Sequence, residues 1–352
     1  MSKIKISKLK QEILKNQPLT PEKILDIRRR FHCSLEEIKL NCDELKIECP
    51  LPDKTEKIKM KDFIPALIDG LPKIIAPLPE IKIPKIKKSK GDEEEMFLLL
   101  SDWQLGHKTR SFNYDVARQR VIKMVHSLLK ITSIHRQSYP IKKINIFLLG
   151  DFIQNDYPWF VDLSELESVL IDQVFNNAIP LLTWTIQEIA NNFEEVKIYA
   201  VRGNHGNTQS SEKDNWDDVI YRCLSLKFEN NPRIKIYLTD NFYQIADVFG
   251  WKFLLAHGDQ VRGGSYNIPL YALLQRMLRW ATSIAGWNYM VVGHWHCYAH
   301  LEQNGQELLV NGSLVSDDEY VRRRYGWNTS TLQVVGSVHP RKGITWTYRI
   351  KL

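Results

Sequence analysis

Five short apolar runs, each broken off by a polar residue able to ligate a metal, constrain this chain more than any other feature. The runs are Met96–Leu100, Ile144–Leu149, Val196–Val201, Trp251–Ala256 and Tyr289–Val292. They are followed by Ser101-Asp102-Trp103-Gln104-Leu105-Gly106-His107, Gly150-Asp151, Gly203-Asn204-His205, His257-Gly258-Asp259 and Gly293-His294-Trp295-His296. Runs this short and apolar read as buried strands, and the stretches near 114–136, 163–193, 214–229 and 268–285 read as helices between them. The alternation predicts an α/β sandwich, closed by short strands at Glu307–Val310, Thr331–Val335 and Ile344–Ile350. In open α/β sheets the loops beyond the carboxyl ends of the strands form the binding crevice, so five loops scattered along the chain are expected to converge. Glycines beside the acidic and imidazole groups allow tight turns and close approach to a ligand. His294 and His296, two residues apart, point the same way in an extended segment.

Composition narrows the class. With 352 residues and 43% hydrophobic content, the chain can bury one large core or a core plus a small module. No apolar run approaches the roughly 18 residues needed to span a bilayer, so no membrane partner is expected. The five cysteines are Cys33, Cys42, Cys49, Cys223 and Cys297, an odd number without a CxxC pair. That argues against a disulfide framework or a thiolate zinc site and predicts a cytoplasmic location. The net charge of +7 is concentrated at the start: residues 1–90 hold 21 Lys and Arg against 13 Asp and Glu, the remainder 27 against 28.

The basic third divides in two. Residues 1–48 predict a small helical module with helices at Ile4–Lys15, Pro21–Phe31 and Leu35–Leu45, the second entered through Thr20-Pro21 and the third through Ser34 and Glu37. Its charge permits a helix-turn-helix that binds DNA, and its size equally suits docking or oligomerisation. Residues 49–95 carry prolines at 50, 52, 65, 72, 77, 79 and 84 and a lysine cluster at 85–90, which predicts a linker with some extended structure. The catalytic body is expected over 96–352.

Taken in order, the strand-end residues of 96–352 resemble the calcineurin-like metallophosphoesterase superfamily, whose pattern is Asp-x-His, Gly-Asp, Gly-Asn-His, His and Gly-His-x-His. The resemblance implies an α/β, four-layer sandwich of two mixed β-sheets flanked by helices. It implies that Asp102, Gln104, Asp151 and His296 hold one metal and that Asp151, Asn204, His257 and His294 hold a second, with Asp151 shared. His205 would sit beside the leaving group. Carboxylate, imidazole and amide donors without thiolates suit Mn²⁺ first, with Fe or Zn²⁺ as alternatives. Two divalent metal ions would activate a water against a phosphoester, so the chain is expected to be a dinuclear metal-dependent phosphoesterase.

Three departures from the pattern stand out. Gln104 replaces a histidine and offers a weaker, neutral oxygen, with His107 three residues on as either a compensating group or a loop histidine. Gly206 stands where many members carry an acid that orients the preceding histidine, and the acid expected after Gly150-Asp151 is displaced among Gln154, Asn155 and Asp156. For substrate, the Ser-Asp-x-x-Leu-Gly start is similar to the double-strand-break repair nucleases of the superfamily, and Asn311-Gly312-Ser313 through Tyr320 is similar to the closing portion of phage-type and repair-type members. These likenesses and the basic first third predict a nucleic-acid phosphodiesterase or nuclease, with Arg202, Arg262 and His107 as substrate contacts. Arg110, Arg322–Arg324, Tyr325 and Trp327 are further groups that could line a strand. The alternative is a phosphomonoesterase acting on a small metabolite or a phosphoprotein, with the N-terminal module as a docking domain.

Overall fold

The structure is a computed structural model and describes residues 3–31, 35–49, 60–82, 84–86, 91–156, 165–208, 211–261, 269–284, 286–326 and 328–352. The chain divides into two units, Met1–Phe63 and Ile64–Leu352. In the first, α1 (Lys3–Lys15), α2 (Pro21–Phe31) and α3 (Leu35–Glu44) enclose a small core of Leu9, Ile13, Leu19, Ile24, Ile27, Ile38 and Cys42. Thr20 Oγ1 accepts from Lys23 N at 3.3 Å, the bond that a threonine N-cap supplies. The capping residue read at Ser34 lies outside the described residues.

The stretch expected to be a proline-blocked linker contains a helix, α4 (Met60–Ile74). Pro65 and Pro72 lie inside it, both exposed and seven residues apart, so they share the solvent face, where water can satisfy the carbonyls they leave without a donor. Ile64 and Leu71, also seven apart, form the buried stripe. The chain after it is tied down rather than loose: Leu78 N donates to Lys227 O at 2.7 Å, and Arg233 Nη2 donates to Ile81 O at 2.6 Å.

Two mixed sheets form the centre of the larger unit. The first orders its strands β13 (Gly343–Lys351), β12 (Leu332–His339), β1 (Glu94–Leu100), β2 (Ile141–Leu148), β3 (Glu195–Ala200) and β6 (Ile234–Tyr237), with β1, β2, β3 and β6 parallel. The second orders β10 (Ala299–Gln303), β11 (Gln306–Val310), β9 (Tyr289–Val292), β8 (Trp251–Ala256) and β7 (Tyr243–Val248), with β11, β9 and β8 parallel. A small hairpin of β4 (Asn207–Thr208) and β5 (Ser211–Asn215) completes the strands. β1 begins two residues before the apolar run because the buried Glu94 accepts from Ser337 Oγ at 2.7 Å and Glu95 from Asn145 Nδ2 at 3.1 Å.

Side-chain alternation sorts the layers. Phe97, Leu99, Phe147, Leu149 and Val201 of the first sheet meet Phe253, Leu255, Tyr289 and Val291 of the second. The rings of Phe97, Phe147 and Phe253 close this inner core at centroid distances of 5.3–6.2 Å. On the far side of the second sheet, Leu254, Met290, Val292 and Leu308 pack on Leu273, Met277 and Trp280 of α8 (Pro269–Ser283). On the far side of the first lie α5 (Tyr114–His135), α6 (Ile179–Ala190) and α7 (Trp216–Phe228). A short α9 (Glu319–Tyr325) follows β11, and no helix among the described residues is long and apolar enough to cross a membrane. The helix expected over 163–193 starts later. Leu166 forms an isolated antiparallel bridge with His107, Lys108 N donating to Glu165 O at 2.7 Å and Glu167 N to Gly106 O at 2.8 Å, before a π-helical stretch, Asp172–Ala178, leads into α6.

Candidate metal centre

Each loop that carries an expected ligand leaves the carboxyl end of a strand: β1 for Asp102 and Gln104, β2 for Asp151, β3 for Asn204 and His205, β8 for His257, β9 for His294 and His296. The turns are tight. Ten described non-glycine residues have φ in the left-handed region, and Asp102, Gln104, Asp151, Asn155, His294 and His296 are six of them, at 42–68°. Such a conformation costs an L-residue roughly 1–2 kcal/mol, so it persists only where neighbours dictate it. They do: Asp102 N donates to Gly150 O at 3.1 Å, Gln104 N to Asp151 O at 3.0 Å, and Asp102 O accepts from Ser313 Oγ at 2.8 Å and Leu314 N at 3.0 Å. Asn311-Gly312-Ser313, after β11, is thus a brace for Asp102. Gly312 is required there because a Cβ would meet Ser330 O at 2.3 Å.

The loops bring Asp151, His257 and His294 together, with one ligand atom of each lying within 4.8 Å of the others. Asp151 is 1% exposed and its Oδ2 takes no hydrogen bond of good geometry, although His257 Nε2 lies 2.9 Å away. His257 Nδ1–H donates to Leu149 O at 2.6 Å, which leaves Nε2 facing Asp151, Asn204 Oδ1 at 3.1 Å and His294 Nδ1 at 3.3 Å. Beside this group, His296 Nε2 stands 3.4 Å from Asp102 Oδ1 and 3.2 Å from Gln104 Nε2. Burial disfavours a charged His257, but Asp151, with help from Asp102 and Asp259, outweighs it and pushes the imidazole up to about 10. Burial together with the neighbouring His257 holds His294 well below the usual histidine range, so it keeps a lone pair to offer. A buried carboxylate whose Oδ2 has His257 Nε2 at 2.9 Å as its nearest partner, among further imidazole and amide lone pairs, is a set that a divalent cation satisfies in place of the imidazole proton.

His205 borders the same cleft. Its N donates to Asp151 Oδ1 at 2.8 Å, and Nδ1–H donates to Gln154 O at 3.0 Å, so Nε2 faces Gln104 Nε2 at 3.3 Å and Asp151 Oδ2 at 4.0 Å. The orienting group sought in a carboxylate is therefore a backbone carbonyl, and no motif marks such a partner in sequence. Asn155 supports the loop by donating to His205 O at 2.6 Å and Asn207 O at 2.9 Å. An acid at position 206 is sterically barred, since a Cβ there would lie 2.1 Å from Asn215 Oδ1.

The cleft, about 170 Å³, is also lined by His107, Glu165 and Asp318. His107 is buried rather than a loop histidine in solvent; neither ring nitrogen has a hydrogen bond, and Glu165 Oε2 is 3.5 Å from Nε2. Burial, opposed by Asp318, lowers its pKa to about 4 and keeps it neutral. Asp318 caps α9 by accepting from Val321 N at 3.0 Å and lies 3.8 Å from His296 Nδ1. Arg202 is not among the cleft-lining residues: its guanidinium grips Asp218 at 2.8 Å through two nitrogens. Arg322 and Arg323 pair with Glu319 at 3.0 Å, and Arg110 is exposed. Arg262, Trp327 and the side chains of Arg324 and Tyr325 lie outside the described residues.

The sequence from 96 to 298 matches the family model for calcineurin-like phosphoesterases. The chain belongs to that family. No curated protein matches it. Among solved structures it is similar to vacuolar protein sorting 29 from Cryptosporidium parvum, at 13% identity and TM-score 0.33 over 70% of this chain and 87% of that one. It is also similar to an archaeal phosphodiesterase, at 14% identity and TM-score 0.34 over 73% and 99%. A third, vacuolar protein sorting 29 from Entamoeba histolytica, gives 14% identity and TM-score 0.31 over 73% and 99%. As a calcineurin-like phosphoesterase, the protein is a metal-dependent hydrolase of phosphoester bonds.

Proposed function

We propose that this phosphoesterase cleaves phosphodiesters of nucleic acid in the cytoplasm, with two divalent cations, Mn²⁺ first among them. Asp102, Gln104 and His296 would hold one cation, Asn204, His257 and His294 the other, and Asp151 both. Bound there, the cations supply Lewis-acid polarisation of the phosphoryl oxygens and lower the pKa of water. His205, anchored through Nδ1 to Gln154 O, turns Nε2 toward the cleft, where it can carry a proton to the leaving oxygen.

One observation carries the choice of a diester. Apart from Asp151, whose charge the cations would offset, the cleft is lined by two further carboxylates, Glu165 and Asp318, which add negative charge beside the ester. A phosphodiester brings one charge into this setting, whereas a phosphomonoester brings between one and a half and two at pH 7. Support for nucleic acid comes from the excess of 21 basic over 13 acidic residues in 1–90, which would act on a polyanion. Lys108 and Arg110, both exposed just past the β1 loop, add to it. Cys42, Cys49, Cys223 and Cys297 are unpaired, as a reducing compartment requires.

The test compares bis-p-nitrophenyl phosphate, p-nitrophenyl phosphate, single-stranded DNA and duplex DNA with the Mn²⁺-loaded protein. Turnover of the diester and of at least one DNA is expected. Turnover of the monoester with both DNAs left intact would overturn the reading and favour the metabolite or phosphoprotein phosphatase.

A further inference from the structure

Beneath the loops that carry Asp151 and Asn204 lie two buried side chains outside the ligand set, both at the start of α7. Asp217 is fully buried, and its Oδ2 accepts from Gly203 N at 2.8 Å and Asp151 N at 3.1 Å, while Oδ1 accepts from Phe152 N at 3.4 Å. Asn215, 1% exposed, donates from Nδ2 to Gly203 O at 2.8 Å and to Asn207 Oδ1 at 3.0 Å, and its Oδ1 accepts from Asp217 N at 2.8 Å. Gly203 is thereby held at both its backbone N–H and its carbonyl, one residue before Asn204. Asp151 is held at its own N–H, at a left-handed φ of 59°.

The contact has almost no slack. A Cβ on Gly150 would meet Gly203 N at 2.3 Å, and one on Gly203 would meet Asp151 Oδ1 at 2.0 Å. Two loops pressed this closely are set by whatever takes their backbone donors, and one carboxylate oxygen takes a donor from each. An apolar residue at 217 would leave three N–H groups without partners in a dry interior, which explains a carboxylate where burial alone disfavours one.

We propose that Asp217 and Asn215 are the positioning residues of the metal centre: by gripping Asp151 N and both polar groups of Gly203, they set the separation of Asp151 from Asn204 and so the affinity for the divalent cation. The proposal rests on the reading of Asp151 and Asn204 as ligands. Groups that orient metal ligands change metal affinity by about 10–100-fold when removed.

The experiment measures the Mn²⁺ dissociation constant of the full chain from the electron paramagnetic resonance signal of free Mn²⁺, for the wild type, Asp217→Asn, Asn215→Ser and Asp151→Ala. Circular dichroism and melting of the metal-free proteins are followed alongside. Asp217→Asn keeps the shape but removes the charge and leaves one acceptor oxygen for three backbone N–H groups, with the amide NH₂ turned onto whichever is left. Asn215→Ser keeps a capping oxygen for α7 and drops the amide donors, so it serves if Asp217→Asn does not fold. Each folded variant is expected to bind Mn²⁺ at least about tenfold more weakly, with the lost activity recovered as Mn²⁺ is raised. A lowered melting temperature with wild-type Mn²⁺ affinity would mean ordinary structural residues and would overturn the proposal. If Asp151→Ala also bound Mn²⁺ like the wild type, the ligand reading would fall and the positioning role with it.

Discussion

Replacing Gly203 with alanine puts the centre to a steric test whose size follows from the structure. The new Cβ would lie 2.0 Å from Asp151 Oδ1, 2.3 Å from its N and 2.7 Å from its Cγ. Carbon approaches such atoms no closer than roughly 3 Å, so the carboxylate must retreat by about 1 Å. Metal–ligand distances tolerate only about 0.2 Å, and a 1 Å misplacement at a reacting centre costs on the order of 100-fold in rate. The strain of overpacking adds roughly 1–3 kcal/mol against the fold. The expected outcome is at least a ~100-fold loss of Mn²⁺-dependent hydrolysis of bis-p-nitrophenyl phosphate, with a fall of about 2–4 °C in Tm per kcal/mol lost. Gly70→Ala is the control: it lies in α4 with nothing within 4 Å of its Cβ, and it should gain roughly 0.5–1 kcal/mol at full activity. A Gly203→Ala protein with wild-type turnover and Mn²⁺ affinity would refute the close packing of Gly203 on Asp151.

Four other outcomes are expected. His205→Asn should lower kcat by about 10²–10⁴-fold while leaving Mn²⁺ binding in place; a loss of Mn²⁺ affinity instead would make His205 a ligand. Gln104, 3% exposed, lies beside His296, so Gln104→His puts a stronger ligand there and should lower the Mn²⁺ concentration needed for half-maximal activity; an unchanged requirement would remove Gln104 from the site. Because His257 in the metal-free protein titrates near 10, raised above its ordinary 6.5 by Asp151 against the effect of burial, it is charged at neutral pH and must lose its proton to ligate. Mn²⁺ affinity should therefore rise with pH toward 10, about tenfold per unit. By the same pairing, the metal-free fold should hold its His257 stabilisation below about pH 6.5 and lose it as pH climbs through 10. Flat Mn²⁺ affinity between pH 7 and 9 would contradict the ion pair.

The strands and the polar residues at their ends were legible because apolar runs and glycine-flanked polar groups are local patterns: β1, β2, β3, β8 and β9 fall where the runs do. β6 and β7 were not, since Ile234–Tyr237 is too short to read and Tyr243–Val248 mixes polar and apolar residues at a sheet edge. α4 was missed because proline rules speak of backbone donors and not of which face they occupy. At the site, sequence supplied the donors but not what holds them. His205 is oriented by a backbone carbonyl and Asp151 rests on Asp217, long-range contacts without a motif, while the Asn311-Gly312-Ser313 likeness did not reveal that Ser313 braces Asp102 from more than 200 residues away. Nor does positive charge in sequence reveal that Arg202 is held by Asp218 and Arg322 by Glu319.

A two-cation centre shared through Asp151 is tested most directly by manganese stoichiometry. Full-length protein equilibrated with Mn²⁺ and dialysed is expected to retain two manganese ions per chain by elemental analysis, and Asp151→Ala to retain neither. A wild type that holds one ion or none, or an Asp151→Ala protein that still holds two, would contradict it.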